Sequence, residues 1–147
     1  MAKSCYEYAI WVIGKYPKTE KELRIKMYQQ WYDTETVNRT LEKLKKDNFV
    51  NDELFAESYI NSEVIRKWRP LIVITQKLEM RGIEKNIISK VVHEAWEDIE
   101  SWILQWIEKE IQQYKKKGVD GFDIIQKLMR KGYRLGDIKR VIKWREE

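Results

Sequence analysis

Apolar residues recur at helical spacing along the chain, and three segments share one register. The segments run over residues 22–32, 73–83 and 123–133, and their equivalent positions are separated by 51 and then 50 residues. In each segment an apolar pair lies four residues apart: Leu23 and Met27, Ile74 and Leu78, Ile124 and Leu128. Residues four apart lie on one face of a helix. The common register therefore predicts an internal helical repeat.

Each of these segments is predicted to be the middle helix of a three-helix block. The blocks span residues 1–50, 51–98 and 99–147, which gives an all-α fold of three tandem three-helix repeats in an open, curved array. In the first block, Pro17 ends the opening helix, and Thr19 with Glu22 forms a capping box for the next helix. Two apolar positions align the third helices: Val37, Ile88 and Ile138, then Leu41, Val92 and Ile142.

The turn after each middle helix differs between the blocks. Gly82 and Gly132 each follow a basic residue and precede an apolar one, which predicts a left-handed C-terminal cap. The first block has Trp31 at this position. A bulky residue at positive φ is costly, so this turn is expected to have another geometry or some strain.

The stretch from Ile83 to Lys117 contains neither glycine nor proline and could form one long helix. A helix of that length is unusual in a small protein. We therefore expect a break between Trp96 and Asp98, with Asp98 as the cap of the next helix.

Composition supports a helical protein. The chain has 147 residues with only 6 glycines and 2 prolines, which are too few for the many turns of a sandwich or barrel. No stretch is apolar enough to span a membrane, and Glu7 interrupts the apolar N-terminal segment, so we expect neither a membrane span nor a signal peptide. A single cysteine, Cys5, argues against a secreted disulfide scaffold. We expect a soluble, cytoplasmic monomer.

The sequence offers little catalytic chemistry. His93 is the single histidine and lies in an apolar helical stretch, and Cys5 has no second thiol or histidine near it in sequence. No glycine-rich phosphate loop is present. We predict no enzyme activity, no metal and no cofactor. The tryptophans, notably Trp102 and Trp106, lie in apolar register and are expected to pack in the core.

The distribution of basic residues indicates a binding function. The net charge is +5, made up of +3 in the first block, −2 in the second and +4 in the third. One lysine recurs at the same repeat position, and further cations cluster at helix ends. The candidate binding residues are Lys26, Arg66, Lys67, Arg69, Lys77, Arg81, Lys127, Arg130 and Lys131. A repeated row of cations suits a periodic acidic partner, such as a nucleoprotein filament or a nucleic-acid backbone. The alternative is an ordinary solvated face.

The segment from Asn48 to Ile60 resembles the signature of the RecX family, which regulates the RecA recombinase. Asp52, Phe55, Ala56 and Tyr59 match that signature. Asn51 or Asp52 would cap the helix, and Phe55 and Tyr59 would form an aromatic pair on its buried face. The resemblance covers most of the chain and is weakest in the third block.

Three departures from the family pattern concern local geometry. Asn48 and Trp31 replace glycines, although asparagine also tolerates a left-handed turn, and Trp68-Arg69-Pro70 stands where the family has Gly-Pro. The resemblance implies tandem three-helix repeats and a non-enzymatic modulator that binds the RecA–DNA filament and inhibits its assembly, ATP hydrolysis and strand exchange. Under this hypothesis, contact with DNA itself is expected to be weak and salt-sensitive. The alternative is a basic helical module that binds DNA directly.

The resemblance also allows a test of the basic residues on the predicted middle helices of the second and third blocks. Exposed contacts are individually weak, so several must be changed together. Reversing Lys77, Arg81, Lys127 and Lys131 to glutamate is expected to abolish the effect on RecA and to leave helicity and melting temperature nearly unchanged.

Overall fold

The computed structural model describes residues 3–67 and 69–146, and these form nine α-helices and no strand. The helices are α1 Cys5–Lys15, α2 Glu20–Gln29, α3 Thr34–Lys46, α4 Asp52–Lys67, α5 Leu71–Met80, α6 Lys85–Glu94, α7 Trp96–Lys116, α8 Gly121–Lys131 and α9 Leu135–Glu146. The all-α class is confirmed. Each predicted block contains three helices, as the sequence pattern requires. Trp68 lies outside the described residues.

The first compact unit contains residues up to Ser58 together with Lys77–Val91. Within it α1, α2 and α3 pack on one another in all three pairings. Their contact buries one apolar cluster, which includes Ala9, Leu23, Met27, Val37 and Leu44. Burial of these side chains supplies the main favourable free energy of the unit.

The second compact unit contains Tyr59–Gln76 together with the residues from Val92 onward. Within it α7, α8 and α9 pack on one another in all three pairings. The indole N–H of Trp106 on α7 donates a hydrogen bond to the main-chain carbonyl of Val64 on α4. This bond gives a half-buried tryptophan the polar partner that its ring nitrogen needs.

The two compact units do not coincide with the three sequence blocks. The unit boundaries fall inside α4, α5 and α6, so the middle block contributes residues to both units. The block limits at 50/51 and 98/99 describe the repeat in the sequence, and the division into three domains stays a prediction.

Side-chain caps fix several helix starts. Thr19 and Glu22 form the predicted capping box of α2. The opening helix ends at Lys15, and the next residue, Tyr16, is extended with φ −149° and ψ 140°. At α4 the side chain of Asn51 accepts a hydrogen bond from the N–H of Leu54 at 3.0 Å. Asn51 is therefore the cap, and the carboxylate of Asp52 is left for another partner.

The predicted turns are left-handed. Gly82 has φ +90° and Gly132 has φ +104°, which confirms the glycine caps. Trp31 has φ 68° and Asn48 has φ 62°. The first block therefore keeps the same kind of turn with a strained tryptophan in the place of glycine.

The predicted break between the second and third blocks is present, but its cap is different. α6 ends at Glu94 and α7 begins at Trp96, with Ala95 between them. Ala95 offers no side-chain hydrogen bond, and Asp98 lies inside the first turn of α7. The prediction that Asp98 caps the helix was wrong. As an acid in the first turn, Asp98 still interacts favourably with the helix dipole.

Burial on the third helices follows the neighbouring positions, and the prediction for the tryptophans needs correction. Val92 and Ile142 are only half-buried, whereas the preceding residues Val91 and Val141 are buried, so the core of these helices follows i+3 spacing. The tryptophans are less buried than expected. Trp102 and Trp106 are half-buried, and Trp11 is 47% exposed. Among the described residues, no helix is both long and apolar enough to cross a membrane.

Candidate binding surface

The lysine that recurs in each repeat lies beside the core and reaches solvent. Lys26 on α2 and Lys127 on α8 are exposed, and Lys77 on α5 is half-buried. Each directly precedes a residue that is 0% exposed: Met27, Leu78 or Leu128. One residue on a helix corresponds to a rotation of about 100°, which moves the lysine from the core to its flank. The recurring lysines therefore lie at the edge of the core, two of them exposed and Lys77 half-buried.

Arg81 is committed to an internal ion pair. Its Nε and Nη2 atoms donate to Oε2 and Oε1 of Glu22 at 3.1 and 2.9 Å. The guanidinium carbon also lies 4.6 Å from the centroid of the Phe55 ring. A bidentate pair with a stacked ring fixes the arginine in place. Arg81 is therefore a structural residue of the first unit.

Glu22 is held in its charged form by this contact. Burial disfavours the carboxylate, but the hydrogen bonds from Arg81 and from the N–H of Thr19 outweigh burial and lower the pKa of Glu22 below its ordinary value. The same side chain therefore completes the cap of α2 and neutralises Arg81.

Lys131 makes the corresponding contact in the second unit. Its ammonium group lies 2.6 Å from Oε1 of Glu110, which is 7% exposed. Burial disfavours the charged lysine, but the hydrogen bonds to Glu110 and Tyr114 outweigh it and raise the pKa of Lys131. Because Glu110 is buried, removing its cation would leave an uncompensated charge inside the protein.

Glu63 holds two more of the predicted cations. Its Oε1 lies 3.2 Å from Nζ of Lys67, and its Oε2 lies 3.0 Å from Nε of Arg69. The second contact is close, but its geometry is too poor for a hydrogen bond, so it acts through charge attraction alone. Glu63 is 5% exposed and depends on these two side chains for neutralisation.

The other five predicted cations form no ion pair with a side chain that the structure describes. Lys26, Arg66, Lys77, Lys127 and Arg130 are absent from every ion pair found within residues 3–67 and 69–146. All but Lys77 are exposed. The structure therefore divides the predicted basic residues into a paired group and a group that can meet a partner.

The buried acids were missed by reading the sequence for basic residues alone. Glu63 follows Ile60 by three residues, and Glu110 follows Ile107 by three residues, so each acid occupies a position on a buried helix face. A charged residue in apolar register was the available signal, because such a residue needs a partner when it is buried.

The signature residues of the second block have structural roles. The carboxylate of Asp52 accepts a hydrogen bond from the N–H of Glu20 at 2.9 Å, and burial raises its pKa despite this bond. Phe55 supports Arg81, and Tyr59 is half-buried. The fully buried face of α4 carries Ala56 and Ile60 instead, so the predicted aromatic pair is not the core of this helix.

Metal ligands and cavities among the described residues are the remaining candidates for a binding site. Within the described ranges, no group of three or more histidine, cysteine or acidic side chains could hold a metal ion. His93 is exposed, and it lines an open recess of about 370 Å³ at the break before α7. The recess is otherwise lined by residues 94–98. Two of its three acids, Glu97 and Asp98, lie in the first turn of α7, where they suit the helix dipole, and the third, Glu94, ends α6.

Known proteins resemble this chain in sequence. The model of the first three-helix domain of RecX matches residues 5–44. The regulatory protein RecX of Clostridium perfringens (strain 13 / Type A) is 34% identical over 134 residues, which cover 88% of this chain and 62% of that protein. The regulatory protein RecX of Clostridium beijerinckii is 33% identical over 147 residues, which cover 95% of this chain and 67% of that protein. The chain thus spans roughly two thirds of the length of these relatives.

Solved structures share the fold. The crystal structure of RecX from Lactobacillus salivarius matches with a TM-score of 0.84 at 20% identity, over 95% of this chain and 92% of that one. A second crystal structure, of a regulatory protein RecX, matches with a TM-score of 0.77 at 16% identity, over 95% of this chain and 70% of that one.

Proposed function

Because the chain belongs to the RecX family of regulatory proteins, we propose that it binds the RecA recombinase filament on DNA and inhibits its assembly, ATP hydrolysis and strand exchange. Family membership is the observation that carries this proposal. The protein acts by binding and needs no cofactor of its own.

The proposed contacts are five exposed or half-buried cations, two in the first compact unit and three in the second. Lys26, Arg66, Lys77, Lys127 and Arg130 have no internal ion pair among the described residues, so their charge is available to an acidic partner. A filament of protein and DNA presents acidic side chains and phosphates repeatedly along its length. Several weak contacts can then add up to a stable complex.

The paired cations contribute less to this surface. Arg81, Lys131, Lys67 and Arg69 would have to leave Glu22, Glu110 and Glu63 before they could bind a phosphate or an external carboxylate. Reversing Arg81 and Lys131 to glutamate would place two acids against each other in each ion pair and lower the stability of the fold. The quadruple reversal predicted from the sequence would therefore mix a loss of folding with a loss of binding.

A variant restricted to the recurring lysines separates the two effects. Lys26, Lys77 and Lys127 are changed together to glutamine, which removes three charges and breaks no internal ion pair among the described residues. The matched control also changes three exposed lysines to glutamine, one on each of α3, α6 and α9: Lys46, Lys85 and Lys139. Both variants lose the same net charge, so a general charge effect is removed from the comparison.

The test is RecA-dependent ATP hydrolysis on single-stranded DNA at increasing concentrations of each protein. We expect the parent and the control variant to inhibit hydrolysis at similar concentrations, and the recurring-lysine variant to need at least tenfold more protein. Absence of any effect of the parent would overturn the proposed function. Equal inhibition by both variants would remove the recurring lysines from the contact surface.

The basic residues also support a second candidate function, which is direct binding to DNA. A protein that binds DNA through phosphates loses affinity steeply as salt rises. If the parent binds bare duplex as tightly as RecA-coated DNA, and this binding falls with salt, the direct DNA-binding function replaces the filament function.

A further inference from the structure

Trp31 occupies the position that glycine holds in the other two blocks, and its turn is closed in the same way. The N–H of Trp31 donates to the carbonyl of Tyr28 at 3.0 Å, as the N–H of Gly82 donates to Glu79 at 2.9 Å and that of Gly132 to Met129 at 3.0 Å. Trp31 has φ 68°, a left-handed conformation that a bulky side chain rarely adopts. The backbone is therefore strained at a tryptophan and unstrained at the two glycines.

In the other blocks the glycine is required by packing as well as by φ. A Cβ atom added to Gly82 would lie 2.6 Å from Cβ of Lys21, and one added to Gly132 would lie 3.0 Å from Cγ2 of Ile72. Each glycine turn is thus covered by a side chain from the preceding block. Trp31 is 93% exposed, so its turn is not covered in this way.

The fold gains nothing from the indole at this position. A ring that is 93% exposed buries almost no apolar surface within the chain, and so it does not offset the backbone strain. A strained residue without a structural role is a reason to look for a functional one. Tryptophan is also one of the residues enriched among the side chains that dominate protein interfaces.

Two more exposed apolar side chains lie just before Trp31. Ile25 is 46% exposed and Tyr28 is 38% exposed, and they are neighbours three residues apart on α2. Ile25, Tyr28 and Trp31 are thus three exposed apolar side chains within seven residues at and just after the end of α2, and we call this group the Trp31 patch. Lys26, in the last turn of α2, adds a cation to the same segment.

The charges after Trp31 favour a protein partner over a nucleic acid. Asp33 and Glu35 follow it directly in the chain and are exposed. Hydrogen bonds from the side chain and the N–H of Thr36 lower the pKa of Asp33, which keeps this carboxylate charged. Two negative charges beside the indole repel phosphates, whereas a protein surface can supply an apolar pocket and a cation next to it.

We propose that the Trp31 patch is the anchor by which this chain docks on a protein, with the indole inserted into an apolar pocket that has a basic residue on its rim for Asp33. This inference rests on the proposed function, and the protein in question is then a RecA subunit of the filament. The exposed lysines attract the filament through charge, and the Trp31 patch supplies the short-range contact that holds it.

The test replaces Trp31 with glycine, the residue that the other two blocks carry. Trp31→Gly relieves the strained φ and removes only an exposed ring, so we expect its melting temperature to equal or exceed that of the parent. Phe122→Ala is the matched control, because Phe122 is 70% exposed and lies in the other compact unit. Both variants are compared with the parent as inhibitors of RecA-dependent ATP hydrolysis on single-stranded DNA.

We expect Trp31→Gly to need at least tenfold more protein for half-inhibition and Phe122→Ala to match the parent. Equal inhibition by Trp31→Gly and the parent would overturn the anchor and leave the proposed function standing. No inhibition by the parent would overturn the proposed function and the RecA anchor with it. If a bare oligothymidine binds the parent more tightly than Trp31→Gly in the absence of RecA, the ring stacks on bases, and the protein-docking proposal is wrong.

Discussion

The hydroxyl group of Thr19 serves two parts of the chain at once. It accepts a hydrogen bond from the N–H of Glu22 at 3.2 Å and donates one to the carbonyl of Arg81 at 2.7 Å. Thr19 is 0% exposed, so water cannot replace either bond. A single side chain thereby caps α2 and ties the turn before Gly82 to it.

Replacing Thr19 by valine is expected to lower the free energy of unfolding by about 2 to 3 kcal/mol, because a buried N–H and a buried carbonyl lose their partners. Thr19→Ser keeps the hydroxyl and should cost less than about 1 kcal/mol. Urea denaturation at neutral pH measures both. A valine variant as stable as the serine variant would contradict the double role of this hydroxyl.

Glu22 makes part of the stability depend on pH. Because its folded-state pKa lies below the ordinary value of 4.5, its ionised form stabilises the fold above pH 4.5, and this contribution is lost as the pH falls through the folded-state pKa. Glu22→Gln keeps a side-chain acceptor for the cap and removes the charge. We expect Glu22→Gln to lower the free energy of unfolding by about 1 kcal/mol at neutral pH and by less at a pH below 4.5. Urea denaturation at the two pH values tests this, and a cost that is independent of pH would contradict the assignment.

At the scale of elements, two glycine turns of the repeat each lie against a side chain from the preceding block. Lys21 covers Gly82, and Ile72 covers Gly132. Gly118, after α7, has a similar conformation with φ +80°, but nothing lies within 4 Å of the position of an added Cβ. The chain thus contains the same left-handed turn with and without a covering side chain.

These turns allow backbone strain to be separated from packing. Gly118→Ala should lower the free energy of unfolding by about 1 kcal/mol, because it adds strain at positive φ and no steric clash. Gly82→Ala adds the same strain and places a carbon against Cβ of Lys21, so we expect it to cost about 1 to 3 kcal/mol more. Urea denaturation of the two variants gives the difference. Equal costs would show that Lys21 moves aside freely.

The elements were predictable where the signal was local. The capping box at Thr19, the glycine caps and the break before α7 follow from residue types a few positions apart. The ion pairs of Arg81 with Glu22 and of Lys131 with Glu110 join residues 59 and 21 positions apart, and a helix pattern carries no information about such distances. The candidate cations could therefore be selected from the sequence, but their division into paired and available residues required the structure.

At the scale of the whole molecule, the charge is spread over two compact units. The basic residues that make no internal ion pair among those described include Lys26 and Lys77 in the first unit and Arg66, Lys127 and Arg130 in the second. The contacts proposed for the filament therefore include residues of both units.

The central claim is that this chain recognises RecA on DNA and not DNA alone. Equilibrium binding of the labelled chain to RecA-coated single-stranded DNA and to the same bare DNA, both at about 0.15 M salt, tests it most directly. We expect binding to the coated strand to be at least tenfold tighter, and the Lys26, Lys77 and Lys127 glutamine variant to lose most of this preference. Equal affinity for coated and bare DNA would contradict the claim.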